Sequence, residues 1–188
     1  TPVTDFGITC IYPQIPGIPP YHNNAVWPFV QSFWLWAAAK AGNESAVMES
    51  ISAIYRPAAL FLTNKENFVA STGDFSGTQI NSSNMLWSLA GNISIVHKVL
   101  FGIHFQENGL LFQPFVPRAY GGHRSLTGFK YRNAVLNISL EGYGNSIRNF
   151  YVDGKPVVQH TIPAALKGVH EIKIVLGDTF DNRAPSTK

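Results

Sequence analysis

One cysteine among 188 residues, Cys10, excludes an internal disulfide and any metal site built on thiolates. It reads as a small buried hydrophobe. Charge is equally scarce: Asp, Glu, Lys and Arg make up 13% of the chain, and the net charge is +3. The basic residues are spread without a run, which argues against nucleic acid as a partner. No apolar run reaches membrane length, and no membrane partner is expected. The chain opens at Thr1-Pro2 with neither a starting Met nor a signal peptide, and it reads as a piece of something larger. Gly-x-Ser-x-Gly, Gly-x-Gly-x-x-Gly and His-Glu-x-x-His are all missing, so no hydrolase elbow, dinucleotide site or zincin site is expected. His104, His123, His160 and His170 are scattered without metal-ligand spacing, and His97 is expected to bond a backbone carbonyl. No cofactor and no metal are expected. Four Asn-x-Ser matches, at Asn43, Asn81, Asn92 and Asn137, are short enough to arise by chance and carry no weight.

What the chain does have is apolar surface. Hydrophobic residues make up 45%, so it is globular. With so little charge, much of its surface is expected to be covered, by itself or by a partner. Residues 1–23 are Pro-rich, with Pro13, Pro16, Pro19 and Pro20, and read as an extended irregular segment.

Three helices are expected between about 25 and 101. The first begins near Ala25–Pro28 and stops at Ala41 before Gly42. From Phe29 to Ala39 only Gln31 and Ser32 are polar, the mark of a helix buried on every side, with Trp34 and Trp36 in the core. The second is capped by Asn43 and reaches about Leu62, with Pro57 expected to kink it or end it early. The third follows a cap at Ser82 or Ser83 and carries Met85, Leu89, Ile93, Val96 and Leu100 as its core stripe. Three helices cannot enclose one that is apolar all round. The missing neighbours are expected from chain outside this sequence, or from the sheet half and a self-dimer.

From 103 to about 177 the period becomes two. Ala134, Leu136, Ile138 and Leu140 alternate with polar or exposed-type positions, as do Ile172, Ile174 and Leu176. Asp153-Gly154 between two apolar runs marks a hairpin. A small antiparallel β-sandwich is expected, with a polar, frayed tail from Asp178 to Lys188.

One loop concentrates side chains suited to sugar binding: Tyr21, His22, Asn23, Asn24 and Trp27, leading into the apolar first helix. Pyranose faces pack on aromatic rings, and hydroxyls need convergent donors and acceptors. Trp27 offers a platform and the other four offer hydrogen bonds. The alternative places Trp27 in the core and leaves Asn24 as a helix cap. Trp87, at the start of the third helix, fits either the pocket or the core.

Tyr21-His22-Asn23-Asn24-Ala25-Val26-Trp27-Pro28 resembles the start of a late inner helix in glycosidases with an (α/α)6 barrel. Glu66-Asn67-Phe68 with Ser71-Thr72-Gly73-Asp74 resembles the Glu-Asn-Tyr…Thr-Gly loop of the trehalase, processing α-glucosidase and glycogen-debranching group. Asn84 to Gly91 looks like the barrel's last helix, and Leu100 to Pro114 resembles a barrel-to-sandwich junction. The resemblance spans roughly residues 12–117. It implies an α+β chain: three helices from an incomplete (α/α)6 barrel in residues 1–102, then a small antiparallel β-sandwich in 103–188. Gly77-Thr78-Gln79-Ile80-Asn81 departs from the Gly-Trp pattern of trehalase-like members, which bears on the substrate more than on the fold.

Glycoside hydrolysis uses two carboxyl groups, set roughly 6.5–9.5 Å apart when the anomeric configuration inverts. Of the 11 acidic residues, Glu66 and Asp74 alone fall in a loop joining the expected barrel helices. The resemblance implies that Glu66 is the general base. The alternative is a solvated loop carboxylate beside Lys65. Asp74 is a further pocket candidate, or a turn residue after Gly73. The general acid is not found in this sequence. The implied activity is therefore inverting cleavage of an α-linked glycoside, with an oligosaccharide or glycoside as substrate, completed by the rest of a parent enzyme or a self-dimer. The competing expectation is a non-catalytic carbohydrate-binding or structural module.

Overall fold

The computed structural model describes residues 2–181. The chain divides into two compact units between Ile95 and Val96.

The first unit holds three helices and two short ladders. Strands β1 (Val3–Thr4) and β2 (Gly7–Ile8) form a tight antiparallel hairpin, and β3 (Ala25–Val26) pairs with β4 (Phe68–Val69). The rest of the Pro-rich start is irregular, as its composition requires. Helix α1 (Pro28–Lys40) begins with Pro at its first position, where the missing N–H is no loss. Helix α2 (Glu44–Phe61) is capped by Asn43, whose Oδ1 accepts from the Ala46 N–H at 3.1 Å. It passes through Pro57 without ending there, and stops where Leu62 turns left-handed. Helix α3 (Leu86–Ser94) has Met85 at its cap position, with no side-chain cap from Ser82 or Ser83.

α1 packs on both α2 and α3, but not as an all-buried helix. Both polar residues of its apolar run are buried beside Leu35 and Ala38: Gln31 is 2% exposed and Ser32 4%, whereas Phe33 is 50% exposed and Trp34 lies outside the core. Gln31 can be buried because both ends of its amide have a partner. Its Oε1 accepts from the Ile8 N–H at 2.8 Å, and its Nε2 donates to Ser50 Oγ at 3.0 Å. Gly7 makes this possible, since it holds φ +132° and a Cβ there would lie 2.7 Å from Gln31 Oε1. Ser32 returns its hydroxyl to the Phe29 carbonyl at 2.6 Å.

α3 also inverts the expected stripe. Ser88, Gly91 and Ser94 face inward, and Leu86, Leu89 and Ile93 face out. The small residues bring two backbones close: a Cβ on Gly91 would sit 3.1 Å from the Pro28 carbonyl oxygen. Large side chains cannot fit that contact, so they turn outward. The helices with their small ladders thus form no portion of an (α/α)6 barrel among the described residues.

The second unit contains two sheets around one core. A π-helical turn, Ile95–Leu100, leads to β5 (Ile103–Gln106) and β6 (Gly109–Phe112). Then follow β7 (Arg124–Tyr131), β8 (Ala134–Glu141), β9 (Ile147–Val152), β10 (Lys155–Pro156), β11 (Thr161–Pro163) and β12 (Gly168–Leu176). The larger sheet has the order β10-β9-β12-β8-β7 and the smaller β11-β6-β5. β12 runs parallel to β8, so the larger sheet is mixed and not antiparallel throughout. Leu136, Ile138, Leu140, Ile172 and Ile174 meet Ile103, Leu110, Phe112 and Ile162 in a single buried cluster. Each such side chain contributes about 1.5–3 kcal/mol by leaving water. The hairpin at Asp153-Gly154 forms as expected, with both residues at positive φ.

The described end of the chain is tied down. Asn145 exchanges hydrogen bonds with Asp181 (Nδ2 to O, 2.8 Å; N to Oδ1, 2.7 Å), and Phe180 packs on Phe115. Fraying at residues 178–181 is therefore corrected, while 182–188 lie outside the described residues. His97 packs edge-on against Phe129, 5.7 Å between centroids, and shows no bond to a carbonyl among the described residues.

Candidate functional site

Glu66 lies just before β4 and is 5% exposed. A strap formed by residues 79–85 explains its burial. The Glu66 N–H donates to the Ser82 carbonyl at 3.0 Å, and the Ser82 N–H donates back to Glu66 Oε2 at 3.2 Å. Asn67, 0% exposed, donates to the Ile80 carbonyl at 3.1 Å, and Asn81 Nδ2 donates to the Asn67 carbonyl at 2.7 Å. The Met85 N–H reaches the Asn64 carbonyl, and the Gln79 N–H reaches the Pro20 carbonyl. That last bond ties the strap to the residue preceding Tyr21.

Tyr21 completes the surroundings of the carboxylate. Its phenol donates to Glu66 Oε1 at 3.4 Å. The phenol's pKa is raised, first by desolvation, then by the charge and the hydrogen bond of Glu66. Lys65 does not neutralise Glu66: its ammonium donates to Ser83 Oγ at 2.8 Å and lies 4.0 Å from the centre of the Phe75 ring. Glu66 forms no ion pair among the described residues.

Aromatic rings continue outward from Tyr21. Trp27 is 5% exposed, and its indole N–H donates to the Tyr21 carbonyl at 2.7 Å. His22, exposed, stacks on Trp27 with centroids 5.1 Å apart and planes 6° from parallel. Tyr21 meets Trp27 edge-on at 5.1 Å. Trp87, 42% exposed, meets Trp27 at 6.1 Å and stacks on Phe29 at 5.4 Å. Glu66, Tyr21, His22, Trp27 and Trp87 thus form one contiguous set spanning a buried carboxylate and an exposed aromatic edge.

The other expected residues lie apart. Asn23 is buried and spent on its own loop, accepting from the Ile15 N–H at 2.8 Å and donating to the Ile15 and Ile18 carbonyls at 3.2 Å. Asn24 takes positive φ, its N–H bonds to Gln14 Oε1, and it lines a different hollow of about 300 Å³ with Gln14, Tyr12 and Ser71. Asp74 is exposed and closes its own turn, Oδ1 accepting from the Ser76 N–H at 2.8 Å. Sequence reasoning missed Phe29 and the strap at Ser82. Phe29 sits one place beyond Pro28 in α1, close to Trp27, a signal that was available. Ser82 acts through its backbone, which carries no side-chain signature.

Among the described residues, no group of three His, Cys, Asp or Glu side chains is placed to hold a metal ion, and no helix is long and apolar enough to cross a membrane. No known family profile matches the chain, and no curated protein is significantly similar to it.

Proposed function

We propose that this chain supplies the general base and part of the sugar pocket for inverting hydrolysis of an α-linked glycoside. The observation that carries the reading is Glu66. It is an almost fully buried carboxylate with no cation paired to it among the described residues, held by one backbone N–H and one phenol, beside an aromatic edge. Burial and two donors fix the direction of the carboxylate while leaving lone pairs unspent. A fixed, unpaired carboxylate is suited to taking a proton from water. Trp87 and His22 offer exposed ring faces or edges for a pyranose, the buried Trp27 backs them instead of serving as the platform, and Tyr21 links that surface to the base.

Hydrolysis needs a second carboxyl group to protonate the leaving oxygen. The sequence offers no identified candidate for that acid, and in this reading it comes from the rest of a parent enzyme or from another copy of the chain. The chain by itself is then a binder of glycosides and a poor catalyst.

A second reading, a non-catalytic sugar-binding module, is favoured by the strap: Glu66 Oε2 already serves a backbone bond that shapes the loop. One comparison separates the two. Oligosaccharide binding is followed by tryptophan fluorescence in the wild type, Glu66→Gln and Trp87→Ala, and hydrolysis is followed in the complete active assembly. The catalytic reading expects Glu66→Gln to keep binding and fold while losing about 10²–10⁴-fold in rate. Full hydrolysis by that variant would reduce Glu66 to a structural residue. Undiminished binding by Trp87→Ala would remove the aromatic edge from the site.

A further inference from the structure

We infer a second binding site, on the outer face of the larger sheet, for a carboxylated sugar residue of an acidic glycan. The face follows from strand alternation. Ile172 and Ile174 of β12 and Phe150 of β9 point into the core, so their neighbours point out. Register places Ser139, Lys173 and Tyr151 in one row across β8, β12 and β9. Glu141, Val175 and Asn149 form the next row. These side chains, with Arg148, line a hollow of about 590 Å³.

Which groups remain available decides the ligand. Glu141 is taken by the Lys173 ammonium at 3.1 Å, and Glu171 accepts from Asn137 Nδ2 at 2.7 Å. Arg148, Asn149 and Tyr151 have no side-chain hydrogen bond or ion pair among the described residues. The unspent groups are thus a guanidinium fork, an amide and a phenol beside its own ring. The hollow holds two carboxylates and two cations: Lys173 is paired with Glu141, Glu171 is held by the neutral Asn137 amide, and Arg148 is the cation with no anion in contact among the described residues. A guanidinium binds a carboxylate through two parallel N–H bonds. An adjacent aromatic ring suits the apolar face of a pyranose, and an amide suits its hydroxyls. A neutral sugar leaves the Arg148 charge unanswered, whereas a uronic acid answers it.

The test uses the whole chain, with trigalacturonate as the acidic probe and maltotriose as the neutral one. Amide chemical shifts and calorimetry are followed in the wild type, Arg148→Gln, Arg148→Lys and Tyr151→Ala. The inference expects saturable shifts in residues 139–151 and 171–175 with trigalacturonate, weakening as salt rises. It expects affinity to fall about tenfold or more in Arg148→Gln, and partly in Arg148→Lys, which keeps the charge and loses the fork. Tyr151→Ala weakens binding as well. Arg148 is exposed and Tyr151 lies on the outer face, so thermal midpoints should hold. Equal binding of maltotriose, unchanged affinity in Arg148→Gln, or no saturable binding up to about 10 mM would overturn the assignment. Glu66→Gln should leave this binding untouched, so its outcome is separate from that of the proposed base.

Discussion

The Tyr21 phenol donates to Glu66 Oε1 at 3.4 Å, joining residues 45 positions apart in sequence. Ionising Tyr21 would set a phenolate beside a carboxylate, and burial disfavours that charge further. In Glu66→Gln the Tyr21 pKa should fall, yet stay above its ordinary value of 10.0, because desolvation is the largest of the three causes. An ultraviolet pH titration of the variant, with Tyr21→Phe to assign the signal, checks this. An unchanged titration would mean that the two groups do not communicate.

Gln31 is expected to matter more for stability than a larger apolar side chain that stays outside, such as Leu86. Gln31→Leu leaves the Ile8 N–H and Ser50 without their partner in a buried place and should cost about 1–3 kcal/mol. Leu86→Ser, at a side chain 76% exposed, should change stability by no more than about 0.5 kcal/mol. Urea unfolding of both variants measures the contrast, and a larger effect for Leu86→Ser would show that the outer face of α3 is covered in solution.

His170 and Asp153 should make the 153–154 hairpin sensitive to pH. His170 Nδ1 lies 2.7 Å from Asp153 Oδ2, and its Nε2 lies 2.9 Å from the Lys167 carbonyl. The His170 pKa is raised above 6.5, chiefly by the Asp153 bond, so its contribution is complete below 6.5 and is lost as pH rises through the higher folded value. The Asp153 pKa is lowered below 3.8, chiefly by the His170 bond, so its contribution is complete above 3.8 and is lost as pH falls through the lower folded value. Hydrogen-exchange protection of the hairpin should therefore peak at about pH 5. In His170→Asn the alkaline loss should disappear.

Cys10 should resist alkylation in the folded chain. Its pKa is pushed up to about 11 by burial, which outweighs a backbone hydrogen bond from Trp27. Iodoacetamide at neutral pH should label it slowly, and much faster in urea. Equal rates would show that the thiol is open to solvent.

Some of this architecture is legible one residue type at a time. Asn43 before α2, Pro28 at the start of α1 and Asp153-Gly154 at the hairpin all act within a few residues, so their roles follow from local geometry. The alternation of β8 and β12 is likewise local, since a strand's two faces are set by its own pleat. At the candidate site, Tyr21, His22, Trp27, Glu66 and Trp87 come together, while the Asn23 and Asp74 side chains are spent within their own loops and Asn24 lines a different hollow. Neighbouring amides compete for such side chains, and composition does not reveal which of them wins.

Capping, proline and pleating act over short distances, so the end of α1, the bounds of α2, the 153–154 turn and the alternation of β8 and β12 follow from sequence, whereas α3 starts at Leu86 without the expected serine cap and stops at Ser94. Tertiary structure alone decided that Gln31 and Ser32 go inside while Phe33 and Leu86 stay out, that β12 enters parallel to β8, and that Glu66 is buried. Each of those outcomes depends on what a distant segment offers: the N–H of Ile8, the carbonyl of Pro28 beside Gly91, the strap at Ser82. A hydrophobic pattern ranks side chains by their cost in water, but a satisfied amide or a close backbone contact can reverse that ranking once the chain is folded.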